Sequence, residues 1–232
     1  MRRSLLVAGI VVASLLAGAA SPAGAADECN GLRVCLPVSG PWVAIGQGGA
    51  EYELQCPRRG YVVAGTDARL AIRDIDVSIR GETGSPVGPG VTTRAAVLFR
   101  AIPTGPTPTS FRPFIGCVPV RGGGSRSQTG VAATPPGGLR PTRPLQTVVV
   151  TQRVPQGTSA VQARCPSGAR LIGGAHAVAF RVETPPSSAV LGGVRARRTL
   201  ADGAVLVTVQ IDGAAVGAHP EIQVRALCRS AP

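Results

Sequence analysis

Cys56-Pro57-Arg58-Arg59-Gly60-Tyr61-Val62-Val63-Ala64-Gly65 returns later in the chain as Cys165-Pro166-Ser167-Gly168-Ala169-Arg170-Leu171-Ile172-Gly173-Gly174. Each copy opens on Cys-Pro, places a Gly three or four residues after the Cys, two apolar residues at the sixth and seventh positions and a Gly at the ninth. Gln47-Gly48 and Gln156-Gly157 stand at the same distance upstream of the two Cys. Each part has a physical role, since proline removes a ladder donor and ends a strand, and glycine permits a tight turn and close backbone approach. A strand that ends in Cys and turns back into a second strand is therefore expected twice. Two tandem homologous antiparallel β-sandwich-like domains follow as the fold class, disulfide-stapled and with very little helix.

The flanking segments carry the period of two that marks half-buried strands. Tyr52, Leu54 and Cys56 share one face of Glu51 to Cys56, and Ile75, Val77 and Ile79 share one face of Asp74 to Arg80. Asp74 and Asp76 then lie on the water side, where pairing with Arg across strands is the expected role. Ala204 to Asp212 is the strongest strand, with Val205, Val207, Val209 and Ile211 inward. Leu145 to Thr151, rich in β-branched residues, reads as a buried strand, and Glu221 to Cys228 as the closing one. Leu36 to Ile45, broken by Pro37, Gly40 and Pro41, reads as an edge strand or bulge, with Trp42 as a core plug. Pro103 to Pro113 and Gly81 to Gly90 read as loops. Residues 121 to 144 hold few large apolar residues and read as a Gly/Pro/Arg linker. The division is thus 1–25 leader, 26–120 first β repeat, 121–144 linker and 145–232 second β repeat.

Six Cys allow 15 pairings, but the repeat selects among them. Cys56 to Cys117 spans 61 residues and Cys165 to Cys228 spans 63, so one bridge is expected within each copy. Cys29 and Cys35 close a short local loop and leave no free thiol. A 60-residue loop closed this way contributes about 4 kcal/mol in the chain-entropy model.

The pattern Cys-Pro-x-Gly, then apolar residues, then Gly-Gly resembles a short motif that recurs in secreted bacterial proteins and some extracellular repeat proteins. It covers about ten residues per copy, and the first copy departs from it by the extra residue in Arg58-Arg59 and by Ala64. The resemblance implies an extracellular, β-rich protein and carries no activity.

Met1-Arg2-Arg3, the apolar run Leu5 to Ala20 and the small-residue end Ser21 to Ala25 form a secretory signal pattern, cleaved after Ala25. Arg2-Arg3 also loosely fits a twin-arginine signal. The apolar run is too short for a confident span, and no later stretch reaches the length a membrane helix needs, so no transmembrane segment is expected in the mature chain. Exported Cys in even number read as disulfides, and the compartment as extracellular or cell-envelope. All 24 basic residues are Arg, a usage that suggests a G+C-rich bacterial genome. The formal charge is +12, and loss of Arg2 and Arg3 leaves +10. The linker contributes Arg121, Arg126, Arg140 and Arg143 with no acid. Together with Arg195, Arg197 and Arg198 these are the candidate anion-binding residues. The partners they suit are an anionic wall polymer, a lipid surface or an acidic protein. An aromatic content of 3 % argues against a stacking platform for nucleic acid.

Catalytic signatures are scarce. The two His are His176 and His219, and no Gly-x-Ser-x-Gly, His-Glu-x-x-His, phosphate-loop or calcium-loop pattern occurs. No metal or cofactor is expected, since Cys29 and Cys35 lack the spacing and the His of a zinc site. His176 stands eleven residues after its Cys, where the first copy has Asp67. The expected function is that of a non-enzymatic binding or structural protein. The alternative is a secreted hydrolase around His176, assembled with Asp202 or Glu183 and a Ser.

Overall fold

Alternating apolar positions become strands throughout the structure, a computed structural model that describes residues 27–32, 34–80, 95–119 and 145–230. The leader 1–25, the loop at 81–90 and the linker 121–144, with Arg121, Arg126, Arg140 and Arg143, lie outside the described residues. In the first half the strands are β1 (Leu36–Ser39), β2 (Trp42–Ile45), β3 (Ala50–Gln55), β4 (Tyr61–Leu70), β5 (Ile75–Arg80), β6 (Ala96–Pro103) and β7 (Thr109–Pro119). In the second half they are β8 (Leu145–Arg153), β9 (Gly157–Arg164), β10 (Ala169–Phe180), β11 (Val194–Ala201), β12 (Ala204–Ile211) and β13 (Pro220–Ser230). Helix among the described residues is confined to a turn at Asp27–Cys29 and to α1 (Ser188–Gly192) and α2 (Gly213–Val216), capped by Ser187 and Asp212.

Every strand pairing is antiparallel. β7 carries β4 along one edge and β1 then β2 along the other, while β13 carries β10 along one edge and β8 along the other. β2 and β10 join these sets through Trp42↔Phe180 and Val43↔Ala179, making one seven-stranded sheet from both halves. Two three-stranded sheets remain, β3-β6-β5 and β9-β12-β11, with the same internal order.

The small sheets cover opposite faces of the large one. Val43, Ile45, Phe111, Ile115 and Cys117 pack with Tyr52, Leu54, Val97 and Phe99 in one core. Residues one step along the same strands face the other way, because side chains alternate across a sheet. Trp42, Phe180, Ile222, Val224 and Cys228 accordingly pack with Val161, Val205, Val207 and Val209 in the second core. Each core borrows across the halves: Trp42 belongs to the second, and Ala177 and Ala179 belong to the first.

The remaining polar positions of β13 fall on the face that meets β3. The Gln223 side-chain amide accepts from the Glu53 N–H at 2.6 Å and donates to the Glu53 carbonyl at 2.9 Å. It thus pairs with the open edge of β3 as a strand would, which satisfies backbone groups that an uncovered edge leaves exposed. Glu221, 2 % exposed, accepts from the Tyr52 hydroxyl at 3.1 Å and from Arg181. Burial, reinforced by that carboxylate, pushes the Tyr52 phenol well above its ordinary pKa. Arg225 pairs with Glu51.

Three bridges, Cys29–Cys35, Cys56–Cys117 and Cys165–Cys228, tie these layers. The two long ones run from the Cys after β3 or β9 to β7 or β13. The motif glycine Gly65 has a separate use: a Cβ there would come within 1.9 Å of the Glu28 carbonyl, so the N-terminal bridged turn seats directly on the backbone.

Several expected boundaries differ. Leu36 to Ile45 is two strands split at Gly40-Pro41, and β2 is interior, between β7 and β10, rather than an edge. Leu145 to Thr151 is an edge strand, half-buried over residues 147–150, because it pairs only with β13 among the described residues. β7 starts at Thr109 and so absorbs the end of the expected Pro103 to Pro113 loop, where burying Phe111 and Ile115 outweighs the lost donor of Pro113. Ile79, at the end of edge strand β5, is 44 % exposed rather than inward. Asp76 faces Ile102 across the ladder, and it is Ser78 that lies opposite Arg100.

Replacing Gln223 by Ala removes both side-chain hydrogen bonds to the half-buried Glu53 backbone, which costs about 1–3 kcal/mol. Urea unfolding of Gln223→Ala against the parent checks this, with a loss of that size expected and an unchanged midpoint contrary to it.

Candidate functional site

The large sheet opens next to the junction. β2 accompanies β10 only at residues 179 and 180, after which β2 turns through Gly46-Gln47-Gly48-Gly49 into β3 while β10 continues unaccompanied on that side. The gap is a cleft of about 730 Å³, within the roughly 300–1,000 Å³ usual for ligand sites. Its walls are the 46–49 turn, the Gly105 to Pro108 turn, residues 174–178 of β10, and Leu191, Val194 and Ala196.

Three side chains give it chemical character. Arg100 comes from β6 of the first half and Arg198 from β11 of the second, and neither forms an ion pair with a described carboxylate. Arg198 Nη1 donates to the Gly174 carbonyl. Glu51 also lines the cleft, but Arg225 already pairs with it. His176 is the third: its Nδ1 is buried without a hydrogen-bond partner among the described residues, as is Oγ1 of Thr109 at the cleft wall. Burial first, and the neighbouring Arg198 second, hold the His176 pKa below its ordinary 6.5. The imidazole is therefore neutral at pH 7.

The candidate residues separate. On β11 side chains alternate, so exposed Arg195 and Arg197 lie on the outward face opposite Gln210 and Thr208, whereas Arg198 reaches the cleft. The carboxylates considered for a triad with His176 are elsewhere: Glu183 offers its carbonyl to Trp42 Nε1 at 3.3 Å, and Asp202 sits in the β11–β12 turn with φ +41°. His219 is exposed in the turn before β13. Among the described residues no group of three or more His, Cys, Asp or Glu is placed to hold a metal, and no helix is long and apolar enough to cross a membrane.

Asp67 and His176 do not occupy matching positions. Asp67 lies opposite Phe114, three residues before Cys117, and His176 lies opposite Val224, four before Cys228. The extra Arg in the first copy shifts the count from the Cys by one, and Ala68 is the residue that matches His176. A one-residue shift turns a strand side chain to the other face, so Asp67 instead accepts from the neighbouring Ala68 N–H at 2.7 Å.

Arg100 carries no signal in the sequence, since an Arg on the polar side of a strand reads as solvated. Gln47-Gly48 does leave one, as the part of the repeat upstream of the Cys that here forms the cleft lip. No protein-family model, curated protein or solved structure matches the chain.

The depressed His176 pKa links to stability with a definite sign. Below pH 6.5 the unfolded chain takes up the proton that the folded chain resists, so this contribution is present above pH 6.5 and is lost as pH falls through the folded value. An NMR titration should place the His176 midpoint below 6.5, and His176→Gln should flatten the fall of stability below that pH. A midpoint at or above 6.5 contradicts the buried geometry.

Proposed function

We propose that the chain is an exported, non-enzymatic binding protein of the cell envelope or extracellular space, and that it holds anionic ligands in the cleft at Arg100 and Arg198. The observation that carries this reading is the convergence of two arginines, one from each half, with no carboxylate partner among the described residues. Export is supported by the leader pattern and by three disulfides, which persist in oxidising compartments. The identical strand order of the two small sheets supports descent of residues 26–120 and 145–232 from one repeated unit, in line with the resemblance to secreted bacterial repeat proteins.

Anionic wall polymer, lipid headgroups and acidic protein all offer the required charge. Nucleic acid fits less well, since among the described residues no Trp, Tyr or Phe lines the cleft to stack a base. Arg195 and Arg197 form a second, outward basic surface that adds general attraction rather than a pocket. A hydrolytic site at His176 is the second reading, favoured by the position of that imidazole in the cleft. Against it stands the distance in the fold between His176 and the acids Asp202 and Glu183.

Binding of polyphosphate, followed by calorimetry at low and moderate salt, tests the assignment. Arg100→Ala and Arg198→Ala should each weaken it about tenfold, since a charge-assisted contact is worth about 1.5–3 kcal/mol, and Arg195→Ala should do less. Equal binding by all variants overturns the cleft as the site. Hydrolysis of an ester, peptide or glycan panel that His176→Ala abolishes would overturn the non-enzymatic reading.

A further inference from the structure

The floor of the cleft is a strand edge, and its hydrogen-bonding groups can be assigned. In an antiparallel pair, residues that exchange bonds with the partner alternate with residues whose N–H and C=O point away. Arg181 N–H donates to the His219 carbonyl at 3.4 Å, in register with Phe180↔Pro220. Counting back by twos, Ala179, Ala177 and Ala175 exchange bonds with β13. Phe180, Val178, His176 and Gly174 turn their backbone groups to the opposite edge. The Pro220 carbonyl, opposite Phe180, accordingly faces away from β10 and accepts from Val154 N–H at 3.0 Å.

On that opposite edge the ladder with β2, Phe180↔Trp42 and Ala179↔Val43, takes the backbone groups of Phe180 and, through the Ala44 N–H, the Val178 carbonyl, and goes no further. From Gly174 to His176 the partner on this edge among the described residues is Arg198, on the Gly174 carbonyl. The amide and carbonyl of His176 and the amide of Val178 therefore look into the cleft. Backbone groups in such a place are nearly always paired in a finished assembly. A ladder of alternating donors and acceptors is matched by another peptide backbone and not by a phosphate or sugar chain, which lacks that periodicity.

The two arginines then specify side chains. Arg198 reaches in from the small sheet on one face of the large sheet, and Arg100 from the small sheet on the other. An extended chain lying in the plane between them sends successive side chains to opposite faces. Two consecutive acidic residues would meet both arginines.

We propose that residues 174–178 of β10 receive an extended segment of another protein as an added strand, with two adjacent carboxylate side chains of that segment on Arg198 and Arg100. The inference rests on the reading of the cleft as an anion site and names its ligand class. Five residues at about 3.3 Å each give a contact of about 17 Å, short enough for weak, reversible capture. His176 and Val178 supply main-chain bonds, the arginines supply selectivity, and Gly46, Gly48 and Gly49 present no side chain to the incoming strand.

The probe is acetyl-Thr-Val-Glu-Glu-Val-Thr-amide, measured on the full mature chain by calorimetry with polyphosphate as a comparison ligand. Saturable binding is expected, falling about tenfold when Glu-Glu becomes Gln-Gln. N-methylation of one alternate set of peptide amides should abolish it, while methylation of the other set changes it less than about twofold. Val178→Pro removes the N–H that points into the cleft and spares the ladder to β13, so it should weaken the peptide about tenfold and leave polyphosphate binding unchanged. Should that variant melt early, amide exchange in the parent chain decides instead, with the Val178 and His176 N–H groups slowed about tenfold by the peptide. Unchanged exchange, or equal binding of both methylated sets, overturns strand addition. Polyphosphate binding that persists in that case leaves the anion site standing, and loss of all binding removes both.

Discussion

Two residue pairs, Trp42↔Phe180 and Val43↔Ala179, turn a four-stranded and a three-stranded set into one sheet. Trp42 is fully buried in a core whose other buried members come from the second half, and its indole N–H is satisfied by the Glu183 carbonyl. A buried Trp removes roughly 150–250 Å² from water, worth about 4–6 kcal/mol before conformational costs. That contribution is made only while β2 and β10 stay paired. The cleft depends on the same short contact: because the pairing stops after two residues, the strands part and leave the wedge in which Arg100, Arg198 and His176 meet.

Strand direction and covered face both reverse at the junction. Each half keeps the order of its strands, yet β10 runs antiparallel to β2, and the second small sheet lies on the opposite side of the large one from the first. The β13 face left uncovered by its own small sheet is the one that meets β3. Glu221, Gln223 and Arg225 on that face are therefore interface residues, and each finds a partner on β3. Buried polar groups of this kind contribute little net energy when paired and cost much when they are not, so they fix how the halves sit more than how tightly they hold.

Local pattern makes much of this legible. Val205, Val207, Val209 and Ile211 alternate and are buried, Tyr52, Leu54 and Cys56 point inward, and the near-equal spacing of the paired Cys selects the long bridges. Contacts between the halves are not legible. Gln223 and Glu221 stand on the polar side of an alternating strand, and such positions read as solvent-facing until a second sheet is placed over them. Arg100 is hidden for the same reason. His176 stands out as one of two His, but its match to Asp67 is off by one position, because counting from the Cys ignores the inserted Arg that the ladder register reveals. Arg195, Arg197 and Arg198 look like one basic cluster in the sequence, whereas strand alternation assigns them to two surfaces.

If the shared sheet and the exchanged core residues bind the halves into one cooperative unit, neither half melts alone. Differential scanning calorimetry of the oxidised mature chain measures this directly. A single transition whose calorimetric and van't Hoff enthalpies agree is expected; two resolved transitions, each with the enthalpy of about half the chain, would contradict it.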